Sequence, residues 1–206
     1  MATQEKKGTI IFDLDDTLFD ASALKEDIFK LLASSGISLS LVRSSYKKVR
    51  NQFPIYRIEN HIKLLEQENG INISKDIQHH LHHFDRSPYV KQATKELLSE
   101  LAIEYNIWLL TLGDQMTQMK KITDTDLVKH FDDGRIIITE KAKEKELAKI
   151  SLFGKVFFVN DKLLETQTIA KHYPDVTCIL VGNHNLRNRK NIFVISSIQY
   201  IKNILS

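Results

Sequence analysis

Apolar residues along this chain fall into two rhythms. Short, nearly unbroken apolar runs recur at Thr9–Leu14, Ile107–Leu110, Ile136–Ile138, Val156–Val159, Val176–Val181 and Ile192–Ile195. Runs of this length predict strands buried on both faces, as in a parallel sheet covered by helices. Between them the pattern changes to helical spacing, predicting helices over Val90–Leu101, Gln115–Ile122, Glu144–Ile150 and Leu163–His172, with a last short one at Ser197–Leu205. This alternation from residue 91 onward predicts an α/β fold with a doubly wound parallel sheet. The interval from Phe19 to Ser87 breaks the rhythm. It holds no strand-like run and predicts amphipathic helices at Ala23–Ser34, Leu41–Gln52, Arg57–Asn69 and Lys75–Phe84. Ser22 and Ser74 are the expected N-caps there, and Gly36 and Gly70 the expected stops. The chain therefore divides into an α/β core of residues 1–18 and 88–206 and a helical domain of residues 19–87 inserted after the first strand.

Composition narrows the class without naming a function. Hydrophobic residues make up 42% of the 206 and charged residues 27%, as in ordinary globular proteins rather than disordered ones. That length suffices for one core, or for a core with a small accessory domain. Seven glycines and three prolines argue for much helix and against turn-dense sandwiches. The single cysteine, Cys178, excludes an internal disulfide framework and lies mid-strand as inert core, and no spaced Cys/His cluster suggests structural zinc. The start MATQEKKG is polar, and no stretch approaches the roughly eighteen apolar residues of a membrane span. Neither a signal peptide nor a membrane partner is expected, and the expected location is cytoplasmic. The net charge of +3 is spread along the chain, which suits a small anionic partner and falls short of a nucleic-acid footprint.

The informative residues follow the strands. The first run leads into Asp13-Leu14-Asp15-Asp16-Thr17-Leu18, with Asp13 and Asp15 on one side of an extended backbone. Thr111-Leu112-Gly113-Asp114 follows the second run, Thr139-Glu140-Lys141 the third, and Asn160-Asp161-Lys162, with Glu165 beyond, the fourth. In a parallel sheet these ends share one edge, where α/β proteins bind ligands. Carboxylates, a hydroxyl and an ammonium thus converge on one crevice. Asp13 follows directly on a buried run, where an unpaired carboxylate is costly. Asp114 reads as a helix N-cap.

These motifs, FDLDDTLFD, LLTLGD, the lysine after RIIITE and FFVNDKLLE, resemble in order the four signatures of the haloacid dehalogenase-like superfamily of aspartate-nucleophile hydrolases. The resemblance covers essentially the whole chain and implies a Rossmann-like core, with the insert as the helical cap of the family's largest subgroup. It implies a phosphatase in which Asp13 is the nucleophile and forms an aspartyl-phosphate. Asp15 would be the general acid and then the base. Thr111, with the backbone N–H groups of Leu14 and Leu112, would bind the phosphoryl oxygens, and Lys141 would stabilise the transition state. Magnesium would be held by Asp13, Asp161 and the backbone carbonyl of Asp15, with Glu165 as a supporting group behind them. Dehalogenases of this superfamily lack an acid two residues after the nucleophile, so Asp15 favours phosphoryl chemistry.

The chain departs from the family pattern at three places. Asn160 stands where glycine usually precedes the acid, the second acid of that motif is Glu165, and Lys141 lacks a following proline and has Lys143 and Lys145 nearby. Lys141 is chosen because it is closest to the strand end and six residues before apolar Leu147. The expected activity is magnesium-dependent hydrolysis of a small phosphorylated metabolite. A phosphotransferase or mutase, and a non-catalytic binding protein, remain the alternatives. His79, His80, His82 and His83 are expected to favour a helix C-terminus rather than bind metal.

Overall fold

The first strand, β1 (Gly8–Phe12), has every residue buried, and the computed structural model places it at the centre of the sheet. Residues 5–185 and 190–205 are described, so the outermost residues of the expected core, and 186–189, lie outside the description. The remaining strands are β2 (Tyr105–Leu112), β3 (Ile136–Thr139), β4 (Lys155–Asn160), β5 (Val176–Val181) and β6 (Ile192–Ile195). Their order is β3-β2-β1-β4-β5-β6, and every pairing is parallel. The chain therefore builds outward on one side of β1, then returns to the other side. The reversal leaves a crevice at the carboxyl ends of the central strands, the usual ligand position in such sheets. The strands pair Phe12 with both Leu109 and Val159, which sets the next residues of all three at one level. Gly8 is confined between its neighbours: a Cβ there would lie 2.1 Å from the Lys155 carbonyl oxygen.

Two compact units result, one of residues up to Asp20 and from Pro88 onward, the other Ala21–Ser87. The first boundary thus falls two residues beyond the expected 18/19. The insert leaves and re-enters through adjacent backbone, since the Asp20 N–H donates to the Tyr89 carbonyl at 2.8 Å. Helices α5 (Gln92–Glu104), α6 (Gln115–Asp124), α7 (Lys143–Leu147), α8 (Leu163–His172) and α9 (Lys202–Leu205) belong to the α/β unit. Apolar side chains of β1, β2, β4, β5, α7 and α8 form its buried cluster, including Ile11, Leu110, Leu147, Phe158, Ile169 and Cys178. Burial pushes the Cys178 thiol up to about 12, as suits an inert core residue. No helix among the described residues is long and apolar enough to cross a membrane.

The second unit holds α1 (Ala21–Ala33), α2 (Leu39–Gln52), α3 (Ile58–Asn69) and α4 (Lys75–His82), which precede α5 in the chain. Ser22 lies inside α1 rather than capping it. Ser74 does cap α4, accepting the Ile77 N–H at 3.3 Å, and Gly70 ends α3 in the left-handed conformation at φ 63°. At the centre is a buried polar group. His61 Nε2 donates to the Val42 carbonyl (3.1 Å) and Ser45 Oγ (2.7 Å), while the Tyr56 hydroxyl donates to its Nδ1 (3.0 Å). This tautomer follows because Ser45 Oγ already donates to the Val42 carbonyl. Burial pulls the His61 imidazole down to about 4, against the Val42 hydrogen bond. His79, His80, His82 and His83 are all exposed around the end of α4, with the His79 and His83 rings stacked at 4.1 Å.

Candidate active site

β1 carries Asp13 to the carboxyl edge of the sheet, where its N–H still pairs with the Val159 carbonyl at 2.8 Å. The strand stops there because the chain folds back tightly. The Leu14 carbonyl accepts the N–H groups of Thr17, Leu18 and Phe19, and Asp16 takes a left-handed φ of 57°. A short acidic side chain tolerates that conformation better than most. The turn puts Asp15 on the same edge as Asp13. Asp13 is 1% exposed, whereas the Asp15 side chain keeps a quarter of its surface in solvent.

The ammonium beside Asp13 is Lys143, not Lys141. Lys143 Nζ lies 2.7 Å from Asp13 Oδ1, 2.9 Å from Glu165 Oε2 and 3.3 Å from Asn160 Oδ1, with its side chain 1% exposed. Lys141 sits in the turn after β3, exposed, with its backbone N–H on Thr139 Oγ1 at 3.0 Å. The physical reason is helical phase. α7 begins at Lys143, and Lys143 and Leu147, four residues apart, share its buried face. Lys141 is closest to the strand end and six residues before Leu147, but Lys143, one helical turn before Leu147, is the lysine that reaches Asp13.

Asn160 ends β4, fully buried, and donates to Glu165 Oε2 and to the Lys162 carbonyl, both at 3.3 Å. Glu165 therefore faces Lys143 and Asn160. Burial opposes its charge, but Lys143, with Lys162 and the Asn160 hydrogen bond, outweighs that and holds the carboxyl below its ordinary range. Asp161 and Asp13 behave oppositely. Burial first, then the neighbouring Asp13 charge, pushes Asp161 up to about 7, and burial raises Asp13 against the pull of Lys143. Lys162 is held above its usual value, because Asp13, Glu165 and Asp161 together outweigh its burial.

This donor set fits a small hard cation. Asp13 Oδ2 and Asp161 Oδ1 are both buried without a hydrogen-bond partner in the protein, and each belongs to a carboxylate that burial disfavours. A dication would satisfy both. Among the described residues no group of three or more His, Cys, Asp or Glu could hold a metal. Two carboxylates are nevertheless the complement that magnesium takes, because it retains several waters.

Thr111 is fully buried near the end of β2, beside Leu112. Its Oγ1 accepts from Gln118 Nε2 at 2.7 Å, and the same amide nitrogen reaches Asp15 Oδ2 at 3.1 Å. Lys121 Nζ lies 2.7 and 2.9 Å from the two Asp15 oxygens. Asp114 caps α6 as expected, accepting the Thr117 N–H at 3.0 Å. Gln118 and Lys121 carry no sequence signal, since they read as ordinary polar positions of a helix.

The fold and this edge define a class: α/β proteins that place an aspartate pair and a lysine around one edge of a parallel sheet. The chain matches the haloacid dehalogenase-like hydrolase family over residues 10–147 and belongs to it. It is thus an enzyme of that hydrolase type. No curated protein matches it in sequence. Among solved structures, a protein described as a haloacid dehalogenase-like hydrolase from Burkholderia xenovorans is 16% identical, with a TM-score of 0.75 over 95% of each chain. The HAD-hydrolase YfnB of Bacillus subtilis, bound to magnesium, is 18% identical, with a TM-score of 0.68 over 98% of this chain and 99% of its own. A protein described as a β-phosphoglucomutase from Thermotoga maritima is 17% identical, with a TM-score of 0.63 over 96% of this chain and 97% of its own. At these identities the likeness is one of fold.

Proposed function

We propose that the protein is a magnesium-dependent phosphatase that hydrolyses a small phosphate monoester through an aspartyl-phosphate on Asp13. The observation that carries the reading is the pairing of two carboxylates with different surroundings. Asp13 is buried on Lys143, while Asp15, two residues on, is partly open on the same edge. Halide departs without a proton, whereas an alkoxide needs one, so an acid at Asp15 suits phosphate esters. Magnesium on Asp13, Asp161 and the Asp15 backbone carbonyl would supply positive charge against the phosphate dianion.

The chain's own groups then divide the work. An Asp13 oxygen bonds to phosphorus as the ester P–O bond breaks, and the leaving oxygen takes a proton from Asp15, which enters this step in its protonated form. Asp15 next accepts a proton from the water that attacks phosphorus, and the Asp13–phosphorus bond breaks to regenerate the carboxylate. Lys143 balances the charge of Asp13 and of the transferring group, with Glu165 and Asn160 holding the lysine in place. Thr111 and the N–H groups of Leu14 and Leu112 hold the phosphoryl oxygens. The unit Ala21–Ser87, inserted after the nucleophile strand, takes the place in the sequence of the family's helical cap, and a small cytoplasmic metabolite fits that reading.

The test is phosphate release from p-nitrophenyl phosphate and a panel of metabolite phosphates, with magnesium and with chelator. Activity that requires magnesium and vanishes in Asp13→Asn supports the reading. Activity that persists in Asp13→Asn sinks it, and return of the phosphoryl group to another hydroxyl would indicate a mutase.

A further inference from the structure

Two buried polar residues one turn apart on α6 reach the reacting edge. Lys121 is 8% and Gln118 2% exposed. Lys121 Nζ spans both Asp15 oxygens and lies 5.4 Å from the centre of the Phe19 ring. This two-point contact removes the rotational freedom an exposed aspartate would keep. Gln118 stands between Asp15 and Thr111. A carboxylate can only accept, so the Gln118 atom facing it is the amide nitrogen. Its two hydrogens then go to Asp15 Oδ2 and Thr111 Oγ1. A hydroxyl that accepts from the amide keeps its own hydrogen for another acceptor. Gln118 therefore leaves the Thr111 hydroxyl as a donor, the polarity a phosphoryl oxygen requires. Gly113 makes room for this, since a Cβ there would lie 2.9 Å from Gln118 Cγ and 3.0 Å from Cδ.

We propose that Lys121 and Gln118 are positioning residues of the phosphoryl-transfer site. Lys121 fixes the direction of the Asp15 carboxylate, and Gln118 fixes the donor polarity of Thr111. The inference rests on the phosphatase reading above and adds to it a requirement on α6. Neither residue touches the reacting atoms; each acts through its partner.

The experiment compares two substrates, p-nitrophenyl phosphate, whose leaving group is stable as an anion, and an alkyl phosphate, whose leaving oxygen needs a proton. Lys121→Met is expected to lower kcat on the alkyl ester at least ~10-fold more than on the aryl ester, with KM within about two-fold. In an Asp15→Asn background the same substitution is expected to add nothing, because its effect runs through Asp15. Should Lys121→Met fail to fold, Lys121→Gln, one atom shorter and uncharged so that the two-point contact with Asp15 is lost, carries the same comparison. Gln118→Glu, nearly isosteric, offers Thr111 an acceptor instead of a donor and is expected to weaken inhibition by inorganic phosphate roughly 10-fold. Equal losses on both esters, or additive losses with Asp15→Asn, would show a merely structural Lys121 and overturn its part. Unchanged phosphate inhibition in Gln118→Glu would overturn the other. A parent protein without phosphatase activity overturns the inference together with the reading beneath it, which separates the two failures.

Discussion

Lys143 has three acceptors within hydrogen-bonding reach and almost no contact with water, so its charge is held by Asp13, Glu165 and Asn160 together. Removing one partner of a buried pair leaves the other unpaired, at a cost of about 3–5 kcal/mol. Lys143→Met should therefore lower both melting temperature and activity, the latter by at least ~10²-fold. Lys141→Met, in an exposed turn, should leave kcat/KM within about two-fold. The reverse pattern in paired kinetic and melting measurements would return the catalytic role to Lys141. The sequence made a lysine legible here but pointed to Lys141 rather than Lys143, because the turn after β3 has no proline to mark where α7 starts. Asp13, Asp15 and Thr111 stand out in the sequence because each directly follows apolar residues at a strand end, and Asp161 because it comes one residue after such a run. Gln118 and Lys121 were not. Their partner Asp15 lies 103 and 106 residues away, and no local pattern records a contact across that distance.

Three elements were legible to the residue. β5 and β6 occupy the expected residues, as does α8. β1 ends at Phe12 rather than Leu14, because the fold-back that places Asp15 consumes the Leu14 carbonyl. That difference is a trace of the site within the strand. At the other end of β1, Gly8 looks like an ordinary strand start, yet the Lys155 backbone leaves no room for a side chain. Gly8→Ala should destabilise the chain by about 3 kcal/mol, as overpacking against rigid backbone does, measured by urea unfolding. Among the helices of the inserted unit, His61 sets a pH dependence. Its folded value near 4 lies below the ordinary 6.5, so the unfolded chain binds the proton more readily. Stability from this group is complete above pH 6.5 and is lost as pH falls from 6.5 towards 4. The loss amounts to about 3 kcal/mol if the shift is fully expressed. Hydrogen exchange of α2 and α3 amides should show it as faster opening at pH 5 than at pH 7. An unchanged dependence in His61→Gln would assign the effect elsewhere.

Taken as one molecule, the chain combines that rising dependence with a falling one. Asp161 has a folded value of about 7 against an ordinary 3.8, so the folded state holds the proton more tightly than the unfolded chain. Its contribution is greatest at low pH and declines as pH rises from 3.8 through 7. Metal-free protein at neutral pH is thus left with a buried carboxylate, Asp13, and a half-buried one, Asp161, that repel each other, each with a buried oxygen that no protein group meets. A dication binding to folded but not unfolded chain adds RT ln(1 + [L]/Kd), about 2.7 kcal/mol at a hundred-fold excess over Kd. Magnesium should therefore raise the melting temperature by several degrees at pH 8. It should do so much less at pH 5.5, where the ion must displace a proton from Asp161. Asp161→Asn removes that titration together with a ligand. It should make the metal-free protein more stable at pH 8 than the parent, while abolishing the magnesium shift. Calorimetry of both proteins with and without magnesium at the two pH values gives the comparison. A magnesium shift of equal size at pH 5.5 and 8, surviving in Asp161→Asn, would place the ion away from β1 and β4. Opposed behaviour of stability and metal binding in one variant is what a site that holds negative charge for a cation at the expense of the fold would give.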